Sequence, residues 1–261
     1  MRIAAFFMPF FALLAGAIGF YMRRLEWSTV FDSAGLPERG AFLTSALIAL
    51  AVLFFVFSLI FSIVVSVRYR SLRGFENAFG TDSLAYPFSF GIIGLVWLAA
   101  TVMYFLENRE LGQAGIIMTV YFPVFSALSA ISAAFFAVEM YNDPRRKSVF
   151  ALGVIPTLFL CFWLVLVYRD NASNPVLLSY AYQILAIIAS ALAFYFTSGF
   201  VYGKPAPGKT VFFYFMSIFF CFITVADGHN IMIRVIFASI LVMNLLYASK
   251  LIRNLRRKNA F

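Results

Sequence analysis

The stretch that decides the fold is residues 41–67, AFLTSALIALAVLFFVFSLIFSIVVSV, in which no side chain carries a charge. A helix needs about 20 apolar residues to cross the hydrocarbon core of a bilayer, so this run predicts a transmembrane helix. Further apolar runs of similar length lie before and after it. The predicted spans are residues 3–22, 41–67, 87–106, 114–138, 148–168, 179–203, 211–227 and 231–252.

The composition of the 261-residue chain agrees with this pattern. Hydrophobic residues make up 63% of it and charged residues 12%, which is too little polar surface for a soluble domain of this size. The loops are too short to form a soluble domain of their own. We therefore predict an all-α fold: a single integral membrane domain over residues 1–261, built as a polytopic transmembrane bundle of about eight spanning helices, with a basic tail at 253–261.

The first span permits two interpretations. Met1 and Arg2, followed by a long apolar run, resemble a secretory signal peptide, whose removal would leave seven spans. The run continues to Arg23, however, which is long for the core of a signal peptide, and no small-residue cleavage site precedes a polar start. We expect a retained first span.

The distribution of basic residues predicts the orientation. Most of the 20 Lys and Arg residues fall at the N-terminus, in the tail, and in the loops at 68–86, 139–147 and 204–210. Loops rich in Lys and Arg stay on the cytoplasmic side, so we expect a plasma-membrane protein with both termini in the cytoplasm. This face should attract anionic lipid headgroups. The net charge of +9 does not indicate nucleic-acid binding, because the sequence contains no folded basic domain that could bind nucleic acid.

The strongest candidate site is the tight turn between the last two spans. Asp227, His229 and Arg234 lie close together here, and His229 is the only histidine of the chain. A histidine can titrate near neutral pH or ligate a metal; Asp227 could orient it, and Arg234 could hold an anionic group. In the alternative interpretation, Asp227 and Arg234 pair with each other while His229 caps a solvated turn. A single histidine is too little for a metal site, and none is predicted.

Two amides inside the spans are further candidates. Gln183 lies near the outer end of the sixth span, and Asn244 lies within the eighth. Such side chains either line a ligand cavity or form hydrogen bonds between helices. With Asp227, His229 and Arg234 they complete the set of predicted ligand-binding residues.

The charged residues of the loops are predicted to be solvated. Arg23 and Glu26 belong to the first outer loop under the boundaries given above, and no Asp, Glu, Lys or Arg falls at a mid-span position. The stretch 71–80 places Leu72, Phe75 and Phe79 at helical spacing, which is equally compatible with a short interfacial helix and with an ordinary connector.

Motifs for catalysis are lacking in this sequence. There is no His-Glu-x-x-His zinc motif, no Gly-x-Ser-x-Gly nucleophile elbow and no Gly-rich phosphate loop. We therefore predict no catalytic residue and no cofactor, and an enzymatic role would rest on Asp227 and His229 alone.

Two segments carry a resemblance. The run FWLVLVY at 162–168, followed by NASNP at 171–175 and YAY at 180–182, is similar to an uncharacterised family of bacterial polytopic inner-membrane proteins. FDSAGLP at 31–37 resembles the same family. The family has no assigned activity, so the resemblance implies a bacterial inner-membrane setting and transfers no site residue.

Two classes of function follow from these observations. The first is binding or transport of a small molecule or lipid through a cavity lined by the fourth, sixth and eighth spans, because polar side chains in a membrane interior need partners. The second is a non-catalytic accessory subunit or sensor that acts through a membrane protein partner.

Overall fold

The apolar runs form helices in a computed structural model that describes residues 2–31, 41–68, 75–81, 83–111, 116–142, 148–174 and 176–257. No strand occurs among these residues. The α-helices are α1 (Arg2–Thr29), α2 (Phe42–Arg68), α3 (Phe75–Phe79), α4 (Ala85–Leu111), α5 (Phe122–Asn142), α6 (Ser148–Asp170), α7 (Ala181–Val201), α8 (Pro207–Val225) and α9 (Ile231–Arg257). A π-helical turn at Ile117–Tyr121 precedes α5, and a 3-10 turn at Leu177–Ser179 precedes α7.

The prediction of a multi-pass helical membrane protein is confirmed. Among the described residues, 7 helical segments are long and apolar enough to cross a bilayer, and they correspond to the second to eighth predicted spans. The first predicted span lies within α1, which packs against α2, α8 and α9. The chain therefore forms an all-α bundle in which α1 lies beside the 7 candidate spans.

Contacts between helix ends show which helix termini lie together, and the C-terminal ends of α1 and α8 lie at the same end of the bundle. At one end, Arg23 near the C-terminus of α1 contacts Asp227 after α8 and the backbone of Leu178 before α7. At the other end, Asn254 near the C-terminus of α9 contacts the backbone of Ala78 in α3. We call these the Arg23 end and the Asn254 end.

Helix α8 is the centre of the bundle. In the most apolar 18-residue stretch of α8, 72% of the residues are buried, whereas the corresponding stretches of α7 and α9 have 56% and 50% of their residues buried. Aromatic rings fill the space around it: Phe219 stacks on Phe54 of α2 at 4.6 Å between centroids, and Phe215 stacks on Phe61 at 5.6 Å. Rings of this size supply large contact areas, and dispersion attraction between them remains where water provides no driving force.

Small residues let α1 approach α8 closely. A Cβ atom added to Gly16 would lie 2.9 Å from Phe222 Cβ, and one added to Gly19 would lie 2.8 Å from Ile223 Cγ1. The small residues of α1 therefore permit a close helix–helix contact.

Hydroxyl groups of neighbouring helices compensate for the proline inside α6. Pro156 has no backbone N–H, so it leaves carbonyl groups one turn earlier without their usual helical donor. Ser198 Oγ of α7 donates to the Gly153 carbonyl at 2.6 Å, and Ser132 Oγ of α5 donates to the Leu152 carbonyl. These bonds hold α6 between α5 and α7 despite the break.

The stretch 71–80, predicted as either a short interfacial helix or a connector, contains the short helix α3, whose phenylalanines are part of the core. Leu72 lies outside the described residues, whereas Phe75 and Phe79 of α3 are buried. Phe75 contacts Phe136 of α5 at 5.0 Å, and Phe79 contacts Phe200 of α7 at 5.3 Å. The helical spacing of these phenylalanines predicted an apolar face. The tertiary contacts show that this face covers the Asn254 end of the bundle.

Candidate functional site

The candidate site begins at Asp227, which follows the last turn of α8. Its side chain is 1% exposed, although the residue lies in a turn at the Arg23 end. Oδ1 of Asp227 accepts hydrogen bonds from Arg23 Nε at 2.6 Å and from Trp27 Nε1 at 2.9 Å. The turn between α8 and α9 is thereby attached to α1.

The predicted location of Arg23 in a solvated loop is wrong. We expected the first span to end at residue 22, with Arg23 and Glu26 in a solvated loop. Helix α1 continues to Thr29, and both side chains are 0% exposed. The spacing of Arg23, Glu26 and Trp27 could have revealed this, because positions three and four residues apart share one helical face.

Every nitrogen of the Arg23 guanidinium group donates a hydrogen bond. Besides its bond to Asp227, it donates through Nη1 to Glu26 Oε2 at 2.7 Å and through Nη2 to the Leu178 carbonyl at 3.0 Å. Glu26 in turn accepts from Thr44 Oγ1 of α2 at 2.6 Å through its second carboxylate oxygen. A planar fork of donors of this kind is a property of arginine and not of lysine.

Aromatic rings enclose the same guanidinium group. The ring centroids of Trp27 and Tyr182 both lie 5.0 Å from Arg23 Cζ, and that of Phe31 lies 5.6 Å away. A cation is attracted to the face of an aromatic ring, most strongly where water is excluded. The rings therefore stabilise the buried charge and shield it from solvent.

The cluster carries more negative than positive charge. One guanidinium group faces the two carboxylates of Glu26 and Asp227. The second oxygen of Asp227, Oδ2, is buried and has no hydrogen-bond partner among the described residues. It lies 3.8 Å from Nε2 of His229, which is likewise buried and without a partner there. This distance is too long for a hydrogen bond.

His229 lies where it can respond to the aqueous phase. Its side chain is 23% exposed, and its ring stacks on Phe237 with 6.4 Å between centroids. Burial lowers the pKa of His229 below its ordinary value, and the positive charges of Arg234 and Arg23 act in the same direction, whereas Asp227 opposes them. The neutral imidazole is therefore the favoured form near pH 7.

Arg234 does not form the predicted pair with Asp227. Its Nε donates to the backbone carbonyl of His229 at 2.6 Å. Asn230, the last residue of the turn, donates to Glu107 of α4 at 2.7 Å. The turn is thus connected to α4 and α9 as well as to α1.

The predicted site residues lie in two separate parts of the bundle. Asp227, His229 and Arg234 lie together at the Arg23 end, and Gln183 is buried nearby on α7, directly after Tyr182. Asn244 lies in the middle of α9, on the order of 20 Å from the turn at 1.5 Å per helical residue.

Asn244 belongs to a polar cluster within the membrane interior. Its Nδ2 donates to Ser217 Oγ of α8 at 2.8 Å, and Ser217 shares a hydrogen bond of 2.7 Å with Ser190 of α7. Hydrogen bonds between helices, one of the two interpretations offered by the sequence, therefore account for the amide nitrogen, whereas Oδ1 of Asn244 is buried and has no hydrogen-bond partner among the described residues.

Comparison of the chain with protein-family models, with curated proteins and with solved structures finds no match in any of the three. The resemblance noted in the sequence stays a prediction.

Proposed function

We propose that this protein is a sensor of external acidity in a bacterial plasma membrane, acting without catalysis through a membrane protein partner. Both termini lie in the cytoplasm in this proposal, so the Arg23 end faces the outer medium. The distribution of Lys and Arg residues supports the orientation. The observation that carries the sensing function is the pair of unpartnered buried atoms, Asp227 Oδ2 and His229 Nε2, 3.8 Å apart.

A proton is the ligand that suits this arrangement. Protonation of His229 would place a positive charge opposite Asp227 Oδ2, and it would balance the excess negative charge of the Arg23–Glu26–Asp227 cluster. An ion pair with a hydrogen bond requires about 2.8 Å between the two atoms. The present distance must therefore shorten by about 1 Å, which moves the turn.

Hydrogen bonds connect the turn to three helices, so a movement of the turn would be transmitted to them. Asp227 is bonded to Arg23 and Trp27 of α1, Asn230 to Glu107 of α4, and the His229 carbonyl to Arg234 of α9. The charged groups that act on the imidazole are Asp227, Arg234 and Arg23; Glu26 and Glu107 belong to the same hydrogen-bonded network through Arg23 and Asn230. A change of charge at His229 therefore acts on a connected network, as a pH switch requires.

Acidification is expected to change the environment of Trp27 in one step and to lower the stability of the present conformation. The pKa of His229 is near 6.5 in an unfolded chain and lower in the folded protein. Between these values the unfolded chain binds more protons, so stability falls as the pH falls through that window. Tryptophan fluorescence and thermal unfolding in nanodiscs, followed from about pH 7.5 to about pH 4.5, measure both effects.

A variant without the imidazole tests the assignment. His229→Gln should abolish the fluorescence step and flatten the dependence of stability on pH, whereas Asp170→Asn, at an exposed carboxylate of the same end, should leave both unchanged. The same transition in His229→Gln as in the parent protein would rule out His229 as the sensing group. The absence of any transition in the parent protein would rule out the sensor.

A second candidate is binding of a small apolar molecule or lipid, and a groove near the Asn254 end supports it. The groove has a volume of about 580 Å³ and is lined by Leu84, Ala85, Pro87, Phe88 and Val138. The groove is open along one side rather than enclosed, and its apolar lining suits an acyl chain.

Native mass spectrometry of gently extracted protein tests this second function. We expect a retained lipid adduct that is lost in Ala85→Trp, because the indole would fill the groove. Val102→Trp, at an exposed position on the same helix α4, should retain the adduct. An adduct that persists in Ala85→Trp would contradict the assignment.

A further inference from the structure

Arg234 is a positive charge at a position that does not favour one. It lies near the start of α9, which begins at Ile231. The free N–H groups at the start of a helix carry partial positive charge, so this position favours acidic side chains and disfavours basic ones. Among the described residues, Arg234 forms no ion pair with a carboxylate. Helix stability therefore does not explain why an arginine stands here.

The hydrogen bond of Arg234 is directed at the histidine turn. Its Nε donates to the backbone carbonyl of His229 at 2.6 Å. The imidazole of the same residue lies 3.8 Å from Asp227 Oδ2, the atom with which it pairs in the proposed acid response. Arg234 is half-buried, so water screens its charge less than that of an exposed residue. The guanidinium group is thus fixed to the residue whose protonation it affects.

The charges that act on the imidazole differ in how far they are compensated. The carboxylate of Asp227 favours the protonated form of His229, whereas Arg234 and Arg23 oppose it. Arg23 already pairs with two carboxylates, those of Asp227 and Glu26. Arg234 has no such partner among the described residues. Its positive charge therefore remains available to oppose a second positive charge on the histidine.

The other groups around the turn do not change this balance. Phe237 of α9 stacks on the imidazole and carries no charge. Glu107 of α4 is exposed, and it accepts a hydrogen bond from Asn230 at 2.7 Å. An exposed carboxylate acts weakly on its surroundings because water and salt screen it.

We infer that Arg234 is a positioning residue that sets the acidity at which the pair of His229 and Asp227 closes. It holds the turn through the bond to the His229 carbonyl, and its charge repels the imidazolium that protonation creates. The pair therefore closes only at a proton concentration high enough to overcome this repulsion. The inference rests on the proposed function as an acid sensor, and it identifies what determines the threshold of that sensor.

Titration of the histidine by NMR tests the inference, because His229 is the only histidine of the chain and gives a single imidazole signal. In the full-length protein with isotope-labelled histidine in nanodiscs, Arg234→Gln should raise the proton affinity of His229 by about threefold or more, since a nearby like charge is gone. Arg234→Met should do the same. Arg234→Lys keeps the charge and should stay close to the parent protein. The fluorescence step at Trp27 should move to higher pH in the first two variants.

The dependence of stability on pH separates this role from a structural one. Burial and the two arginines lower the pKa of His229 in the folded protein, so stability falls as the pH falls. Without the charge of Arg234 the pKa is lowered less. Arg234→Gln should therefore lose less stability on acidification than the parent protein does. A purely structural role would lower the Tm equally at every pH and leave the titration of His229 unchanged.

A control at the same end completes the experiment. Arg109 is an exposed arginine of α4, and Arg109→Gln should leave the proton affinity of His229 unchanged. Equal proton affinities in Arg234→Gln and the parent protein, or equal increases in Arg234→Gln and Arg234→Lys, would overturn the role of Arg234 and leave the sensor intact. A histidine that titrates in the parent protein without a fluorescence step would overturn the sensor, and this inference with it.

Discussion

Replacing Arg23 by methionine is expected to lower the free energy of unfolding by about 3–5 kcal/mol, because removal of one partner leaves buried charges uncompensated. The guanidinium group is 0% exposed and donates to Asp227, to Glu26 and to the Leu178 carbonyl. Methionine fills a similar volume but donates nothing. Chemical unfolding in detergent micelles, followed by tryptophan fluorescence, measures the loss.

The adjacent residue provides a matched control. Arg24 is exposed on the same helix, so Arg24→Met should change stability by no more than about 0.5 kcal/mol. Adding Asp227→Asn and Glu26→Gln to Arg23→Met should recover part of the loss, since the unpaired charges are then gone. Equal losses at Arg23 and Arg24 would show that the buried cluster does not stabilise the bundle.

Replacing Gly208 by alanine is expected to cost about 1–3 kcal/mol through overpacking between α2 and α8. A Cβ atom at this position would lie 2.5 Å from the Ser62 carbonyl oxygen and 2.7 Å from Ser66 Cβ. The first contact is with backbone, which cannot rotate away as a flexible side chain can. The helices must therefore separate, and thermal unfolding in nanodiscs should show a lower Tm.

Gly91 is the control for the effect of adding a methyl group. A Cβ atom there meets nothing within 4 Å, so Gly91→Ala should be neutral or stabilising by up to about 1 kcal/mol, because alanine favours the helix. A Tm for Gly208→Ala equal to that of Gly91→Ala would contradict the close packing of α2 on α8.

Much of the fold could be predicted because one physical requirement dominates it. A backbone in hydrocarbon must satisfy its own hydrogen bonds, and a run such as 41–67 can do so only as a helix. The same reasoning predicted the turn at Asp227. Each of these inferences depends on local composition, which can be read directly from the amino-acid sequence.

The candidate site was only half predicted. Asp227 and His229 were recognised because a carboxylate and the only histidine lie two residues apart. Arg23 was assigned to a loop because a charge after an apolar run usually marks the end of a span. Helix α1 continues past it, because Asp227 and Glu26 neutralise the guanidinium group and aromatic rings shield it.

The amino-acid sequence by itself determined that this protein is a bundle of apolar helices, since hydropathy and span length are local properties of the chain. Only the tertiary structure decided which charges are buried together, that Arg234 binds the turn backbone instead of Asp227, and that Phe75 and Phe79 close the Asn254 end. These outcomes depend on contacts between residues far apart in sequence, such as the 204 positions that separate Arg23 from Asp227. The chemical type of a side chain determines what kind of partner it prefers. The packing of the helices determines which residue becomes that partner.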